Sequence, residues 1–375
     1  MKIVFTGGGT GGHFYPVIAV AEEIRQLAKS ERLIQPELYF MSDSPYNPGL
    51  LYDAGIIFKK TSAGKIRRYT SILNFLDMFK TFWGILFATW NMFKIYPDVV
   101  FGKGGYGSFP ALFAARLLRI PVVIHESDSS PGKVNIWAAK FAKRVAVSYK
   151  EAGAYFETPK VAYTGNPIRK SLFSKDSAGA YEFLKLEKDI PVILVLGGSQ
   201  GARVINDGVV DALPALVLKY QIIHQTGKNN IADVATSAKV TLENSPHKDR
   251  YRAFEYLNDK ALQMGAGISS LVISRAGSSI FEIALWGIPS IIVPIPEEIS
   301  HDQRGNAFNY ARAGAAIVIE EHNLSPHLLV SEIDRLFQDT DKMAEMSKKA
   351  KEFATPDAAL KIAREILNIA LEHEK

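Results

Sequence analysis

The sequence predicts an α/β protein made of two Rossmann-like domains, and three observations carry that prediction. Short β-rich apolar runs alternate with helical stretches throughout, which is the pattern of parallel sheets with crossover helices. The first strand runs into a glycine turn, Gly7-Gly8-Gly9-Thr10-Gly11-Gly12-His13, and a second strand-and-turn, ending Gly197-Gly198-Ser199-Gln200-Gly201-Ala202-Arg203, opens the second half in the same way. A length of 375 residues with 47% hydrophobic and 22% charged residues suffices for two separate cores.

In the first half, KIVFTG (2–7), ELYFMS (37–42), IIFKKT (56–61), DVVFGK (98–103), PVVIHES (121–127) and RVAVS (144–148) read as strands. The second half repeats the rhythm with PVILVLGG (191–198), QIIHQT (221–226), RYRAFEY (250–256), SLVISR (270–275), PSIIVPI (289–295) and AAIVIE (315–320). Each run is too short for a helix and rich in β-branched or aromatic residues. A polar stretch from Gly165-Asn166-Pro167 to Asp189 marks the change of domain, giving 1–165 and 166–355. Residues 356–374 keep apolar side chains at helical spacing and are expected to pack back on the first domain.

The glycine turns point to an anionic ligand. Glycines let a backbone approach a diphosphate or a sugar, and the helix opening behind them aims N–H groups at the same place. Gly7, Gly9 and Gly12 also fit the dinucleotide pattern G-x-G-x-x-G, but a nicotinamide enzyme would leave the second turn unexplained. A third turn, Gly102-Lys103-Gly104-Gly105-Tyr106-Gly107, follows another apolar strand. Two such halves predict a cleft between domains with ligand at the carboxyl ends of both sheets. His125-Glu126-Ser127-Asp128 closes the fifth strand, where paired acids suit acid–base work. In Arg275-Ala276-Gly277-Ser278-Ser279-Ile280-Phe281-Glu282, small residues can present N–H groups to a diphosphate, and Glu282 can accept from a ribose diol. Asp302, Gln303 and Asn306, read as a polar loop, could address sugar hydroxyls.

Composition excludes other classes. The chain has no cysteine, so neither disulfides nor a thiolate metal site is available, and its eight histidines are scattered without ligand spacing. The net charge of +5 suits an acidic partner, yet no basic run or aromatic-basic signature argues for nucleic acid. MKIVFTGG lacks the features of a signal peptide, and a cytoplasmic location is expected. Thr81 to Phe93, TFWGILFATWNMF, falls short of a membrane span. With Ile66, Tyr69, Ile72, Leu73, Phe75, Leu76 and Phe79 around it, and Lys65, Arg67, Arg68, Lys80 and Lys94 interspersed, the 65–94 segment reads as an amphipathic surface for anionic lipid. The competing reading is an ordinary helix with a core stripe.

GGGTGGH, GKGGYGS, VVIHES, TGNPIR, GGSQGAR and SRAGSSIFEIALWGIPSIIVP, in this order over nearly the whole chain, resemble the MurG family of peptidoglycan glycosyltransferases. That family, within glycosyltransferase family 28, adds N-acetylglucosamine from UDP-GlcNAc to lipid I, giving lipid II on the inner face of the cytoplasmic membrane. The resemblance implies a GT-B fold, inversion at the anomeric carbon, no cofactor, no metal, and a peripheral place on that membrane. It further implies His13 as the base on the acceptor hydroxyl, with Glu126 beside it in the catalytic cleft. Thr10, Gly11 and Gly12 would touch the donor's sugar and diphosphate side, Asp128 would lie near the donor sugar, and Arg169 and Ser199 at the diphosphate. Leu257 would meet uracil through its backbone, Ser278, Ser279, Ile280 and Phe281 would offer backbone contacts, Glu282 would hold the ribose, and Gln303 the sugar hydroxyls. Tyr106 and Asn135 would lie toward the acceptor. The chain departs from the family in Asp128 for the usual Asn, in a Gly277–Glu282 loop one residue shorter, and in Asp302 for a frequent His. Another UDP-sugar transferase with a lipid acceptor, and a UDP-GlcNAc 2-epimerase, are the alternatives within this fold.

Overall fold

The computed structural model describes residues 1–64, 72–198, 201–297 and 303–373, with the backbone alone for 72–76 and 373. Lys65, Ile66, Arg67, Arg68, Tyr69, Ser199, Gln200, Ser300 and Asp302 lie outside the described residues. The chain divides into two units, one of residues 1–169 and 355–375 and one of residues 170–354. Arg169, expected beyond the boundary, therefore belongs to the first unit.

The first unit holds a seven-stranded sheet of order β3-β2-β1-β4-β5-β6-β7. Its strands are β1 (Lys2–Thr6), β2 (Glu37–Ser42), β3 (Ile56–Lys60), β4 (Val99–Gly102), β5 (Val122–Glu126), β6 (Arg144–Val147) and β7 (Val161–Tyr163). Every pairing is parallel, with Val4 opposite both Tyr39 and Val100. Such a sheet is covered on both faces, which is why its strands read as continuous apolar runs. Ile3, Phe5, Val99, Phe101 and Val123 face one core together with helix Gly11–Ser30 and residues Ile362, Ile366 and Ala370 of helix Ala358–His373. Val4, Val100, Val122 and Ile124 face the other with Ala88, Met92 and Ile95. Full burial of each such side chain contributes roughly 1.5–3 kcal/mol. The strand β7 has no counterpart in the sequence reading, because Val161–Tyr163 is too short a run to stand out.

The second unit holds a six-stranded parallel sheet of order β10-β9-β8-β11-β12-β13. These are β8 (Val192–Leu196), β9 (Gln221–Gln225), β10 (Tyr251–Phe254), β11 (Ser269–Ser274), β12 (Ser290–Ile292) and β13 (Ala316–Val318). Ile193, Val195, Ile222, Leu271, Ile273 and Ile291 form its main core with helices Arg203–Leu216 and Pro326–Gln338. Residues 303–312 are a helix rather than a polar loop.

Candidate active site

Each sheet reverses its strand order at one place, between β1 and β4 and between β8 and β11. A ligand crevice in an open α/β sheet forms at such a switch point, outside the carboxyl ends of the strands. The glycine turns stand at those two places.

In the first unit, the turns after β1 and β4 interlock. Gly8 donates its N–H to Gly104 O at 2.9 Å. Gly105 has φ +78°, and a Cβ there would stand 2.9 Å from Gly8 Cα, so only glycine fits. Helix Gly11–Ser30 starts after Thr10, whose backbone is extended and whose carbonyl accepts from His13 N and Phe14 N. The N–H groups of Gly11 and Gly12 donate to nothing among the described residues, and they carry the positive end of the helix dipole. His13, in that first turn, holds Thr10 Oγ1 with Nδ1 at 2.8 Å. Burial pushes its imidazole down to about 3, and the Lys103 ammonium pushes the same way.

Glu126, the last residue of β5, is buried and accepts three N–H donors. Asp128 N reaches Oε1 at 3.0 Å, while Gly132 N at 3.0 Å and Asn135 Nδ2 at 2.8 Å reach Oε2. These bonds wrap the 127–135 loop around the carboxylate. Its pKa is raised, by burial first and by Asp128 second. Asn135 also donates to His125 O at 3.1 Å. Tyr106 donates to Asp43 Oδ2 at 3.3 Å, and burial foremost raises its pKa. Arg169 stacks its guanidinium carbon 4.0 Å from the centroid of the Tyr15 ring. Thr10, Gly11, Gly12, His13, Tyr106, Glu126, Asp128, Asn135 and Arg169 thus belong to one unit.

The second unit gathers a different chemistry. The turn after β8 brings Gly197 N to Gln225 O at 3.2 Å, and the buried Gln225 side chain accepts from Leu257 N at 3.0 Å. With that N–H occupied, the carbonyl is what Leu257 can offer a base. At the head of helix Ser279–Trp286, Ile280 N and Phe281 N already donate to Gly277 O and Ser278 O, so the N–H groups of Ser278 and Ser279 are the ones left for a ligand. Glu282 sits in that first turn, half-buried. Gln303 places Nε2 3.9 Å from the point a Gly277 Cβ would occupy, beside the same turn. Asn306 is not open to a sugar: it is buried and donates to Ala276 O at 3.1 Å. Arg275 is likewise spent on Val293 O, Pro294 O and Glu321.

Three residues escaped the sequence reading. Lys103 stands buried in the third glycine turn, Gln225 braces Leu257, and Asp43 holds Tyr106. Lys103 alone carried a signal, a charged residue inside a glycine turn directly after a buried strand. Among the described residues no group of three or more His, Cys, Asp or Glu is placed to hold a metal ion, and no helix is long and apolar enough to cross a membrane.

The N-terminal domain of glycosyltransferase family 28 matches residues 3–147 and its C-terminal domain residues 192–362. The UDP-N-acetylglucosamine–N-acetylmuramyl-(pentapeptide) pyrophosphoryl-undecaprenol N-acetylglucosamine transferase of Clostridium novyi is 37% identical over 344 residues, covering 91% of this chain and 92% of that one. Among solved structures, MurG of Acinetobacter baumannii superposes with a TM-score of 0.72 at 24% identity, covering 98% of this chain and 99% of that one. The UDP-GlcNAc 2-epimerase of Neisseria meningitidis bound to UDP-GlcNAc gives 0.68 at 14% identity, covering 98% and 100%. Both superpositions bear out the two-domain α/β architecture of the GT-B type.

Proposed function

The chain belongs to glycosyltransferase family 28, and from that premise we propose that it transfers N-acetylglucosamine from UDP-GlcNAc to the C4 hydroxyl of a lipid-linked N-acetylmuramoyl acceptor, inverting the anomeric carbon. The observation that carries this reading is 37% identity over 91% of the chain to a relative named for that reaction. The epimerase likeness, at 14% identity, speaks for the fold alone.

His13 takes the acceptor proton as the C4 oxygen attacks the anomeric carbon and the bond to UDP breaks. For Nε2 to accept, Nδ1 must carry the ring hydrogen and donate it to Thr10 Oγ1, an arrangement the Thr10 hydroxyl accommodates. A neutral imidazole at pH 7 is the form a general base needs. Glu126 shapes the loop that presents Asp128 and Asn135, with Tyr106 toward the acceptor. In the second unit, the Leu257 carbonyl reads uracil N3–H, Glu282 accepts from the ribose diol, and the Ser278 and Ser279 N–H groups meet the diphosphate. Gln303 serves the sugar hydroxyls, and Ser199 and Arg169 add to the diphosphate contacts.

The acceptor's lipid is met by helix Ile72–Ile95. Gly84, Ala88, Met92 and Ile95 turn inward, while Phe79, Phe82, Trp83, Phe87, Trp90 and Phe93 stand at least half exposed. So many exposed aromatic rings on one helix, with Lys80 and Lys94 exposed beside them, fit the headgroup region of an anionic membrane surface. The deciding assay is UDP release from UDP-GlcNAc in the presence of a lipid I analogue. Release that depends on the analogue supports the transfer, and UDP-ManNAc formed without acceptor would replace it with epimerisation.

A further inference from the structure

Asp43 lies one residue past β2, against the two interlocked turns. Thr6 pairs with Met41, and Ser42 Oγ reaches Gly7 O at 2.9 Å, so the chain after β2 leaves the sheet beside the chain after β1. A Cβ on Gly107 would stand 3.1 Å from Asp43 Oδ1, and one on Gly9 3.7 Å away, so the carboxylate rests against the bare backbone of both turns. Its own hydrogen bonds are thin. Tyr106 Oη stands 3.3 Å from Oδ2, long for a hydroxyl on a charged oxygen, and Ser42 has one proton for both Gly7 O at 2.9 Å and Asp43 Oδ1 at 3.1 Å. Among the described residues no other donor reaches Asp43, and it is partly open to solvent, as Tyr106 is. A carboxylate here repels the anion that the Gly11 and Gly12 N–H groups attract. The side of the turns facing Asp43 therefore suits a neutral group with an O–H or N–H to give. Gly8 separates it from the base: Gly8 Cα lies 3.3 Å from the Gly107 Cβ point, and a Cβ on Gly8 would stand 3.3 Å from His13 Nδ1.

We propose that Asp43 is a binding residue for the acceptor sugar: its carboxylate accepts from the C6 hydroxyl of the N-acetylmuramoyl unit while His13 takes the C4 hydroxyl. The proposal rests on the transfer of N-acetylglucosamine to that sugar. On it, C1 carries the diphosphate, C2 an acetamide, C3 the lactyl ether and C4 the reacting hydroxyl, so C6 bears the one hydroxyl that remains. That hydroxyl hangs from C5, next to C4, and is a neutral donor close to the reacting oxygen. Asp43 and His13, with Gly8 between them, are placed to take the two neighbouring hydroxyls together. The Tyr106 bond steadies the carboxylate without using up its capacity to accept.

The test compares a lipid I analogue with its 6-deoxy counterpart, each with UDP-GlcNAc. The wild type should use the 6-deoxy compound with a kcat/KM about tenfold lower, the effect of one lost hydrogen bond to a charged acceptor. Asp43→Ala should lose about tenfold on the parent analogue, keep the donor KM, and treat the two analogues alike. Tyr106→Phe leaves the carboxylate in place and should still prefer the parent analogue. Equal use of both analogues by the wild type overturns the proposal, whether or not Asp43→Ala folds. A preference retained in folded Asp43→Ala overturns it too, and a preference lost in Tyr106→Phe gives the hydroxyl to the tyrosine instead and overturns the role of Asp43. No UDP release by the wild type with the parent analogue is the separate failure of the transfer itself, and the proposal falls with it.

Discussion

His13 and His224 stand near the ends of strands in the two units, and burial pushes both imidazoles down to about 3. They differ in what their nitrogens do. His224 is fully buried, with Nδ1 on Tyr251 Oη at 2.9 Å and Nε2 on Asn206 Oδ1 at 3.0 Å. His13 is partly open, and Thr10 holds its Nδ1 alone. A neutral imidazole can therefore act as a base only where one nitrogen is left for substrate; with both engaged it braces a core. The contrast extends to the two switch points. That of the first unit is crowded with His13, Lys103, His125, Glu126 and Asp128, whereas that of the second offers backbone N–H groups, amides and hydroxyls around Glu282. On the proposed reading, the first moves a proton and the second holds a neutral base, a diol and a diphosphate.

Substituting the two histidines is the severest way to break this comparison. His13→Ala should lower kcat by about 10²- to 10⁴-fold while leaving UDP binding and melting temperature in place. His224→Gln should do the reverse, leaving kcat within about twofold and costing roughly 1–3 kcal/mol of stability through a disturbed buried network. Wild-type kcat in the first, or a collapse of kcat in a folded second, would undo the distinction. The acid response sharpens it. Unfolded histidine takes a proton near 6.5 but folded His224 resists until about 3, so the unfolded state binds the extra proton in between. Stability is thus present above about pH 6.5 and drains as pH falls toward 3. Chemical denaturation across that window should show a shallower decline in His224→Gln.

A smaller effect is expected from Glu282→Gln, which weakens ribose acceptance in the ground and transition states alike. Donor KM should rise about tenfold with kcat nearly unchanged. An unaltered KM would remove Glu282 from the nucleotide. The mildest change is expected at the exposed aromatic helix. Phe87→Ser/Trp90→Ser should reduce binding to anionic vesicles several-fold, and wild-type binding should weaken with added salt. Equal sedimentation of both proteins would count against a lipid-facing role.

The sheets were legible because a parallel strand buried on both faces, such as Val99–Gly102, has nothing but apolar residues to show, and a glycine turn after it announces the switch point. Roles that depend on which partner a polar atom finds were not. Asn306 carries the same amide whether it addresses a sugar or Ala276 O, and helix periodicity alone does not say which. Lys103 would ordinarily be read as solvated, and only the register that carries it past Gly102, between Gly7 and His125, makes it a buried charge. The aromatic helix was ambiguous for the opposite reason: both of its faces are apolar, and the small residues Gly84 and Ala88 decide which one turns inward.

Helix Ala358–His373 supplies Ala359, Ile362, Ala363, Ile366, Leu367, Ile369 and Ala370 to the core that begins with Ile3 and Phe5. Strand β1 thus waits for residues more than 350 positions later before its apolar face is sealed, while the unit of residues 170–354 has all of its own chain sooner. Synthesis should accordingly complete the unit of residues 170–354 before the unit that contains β1, whose first sheet stays unsealed for most of translation.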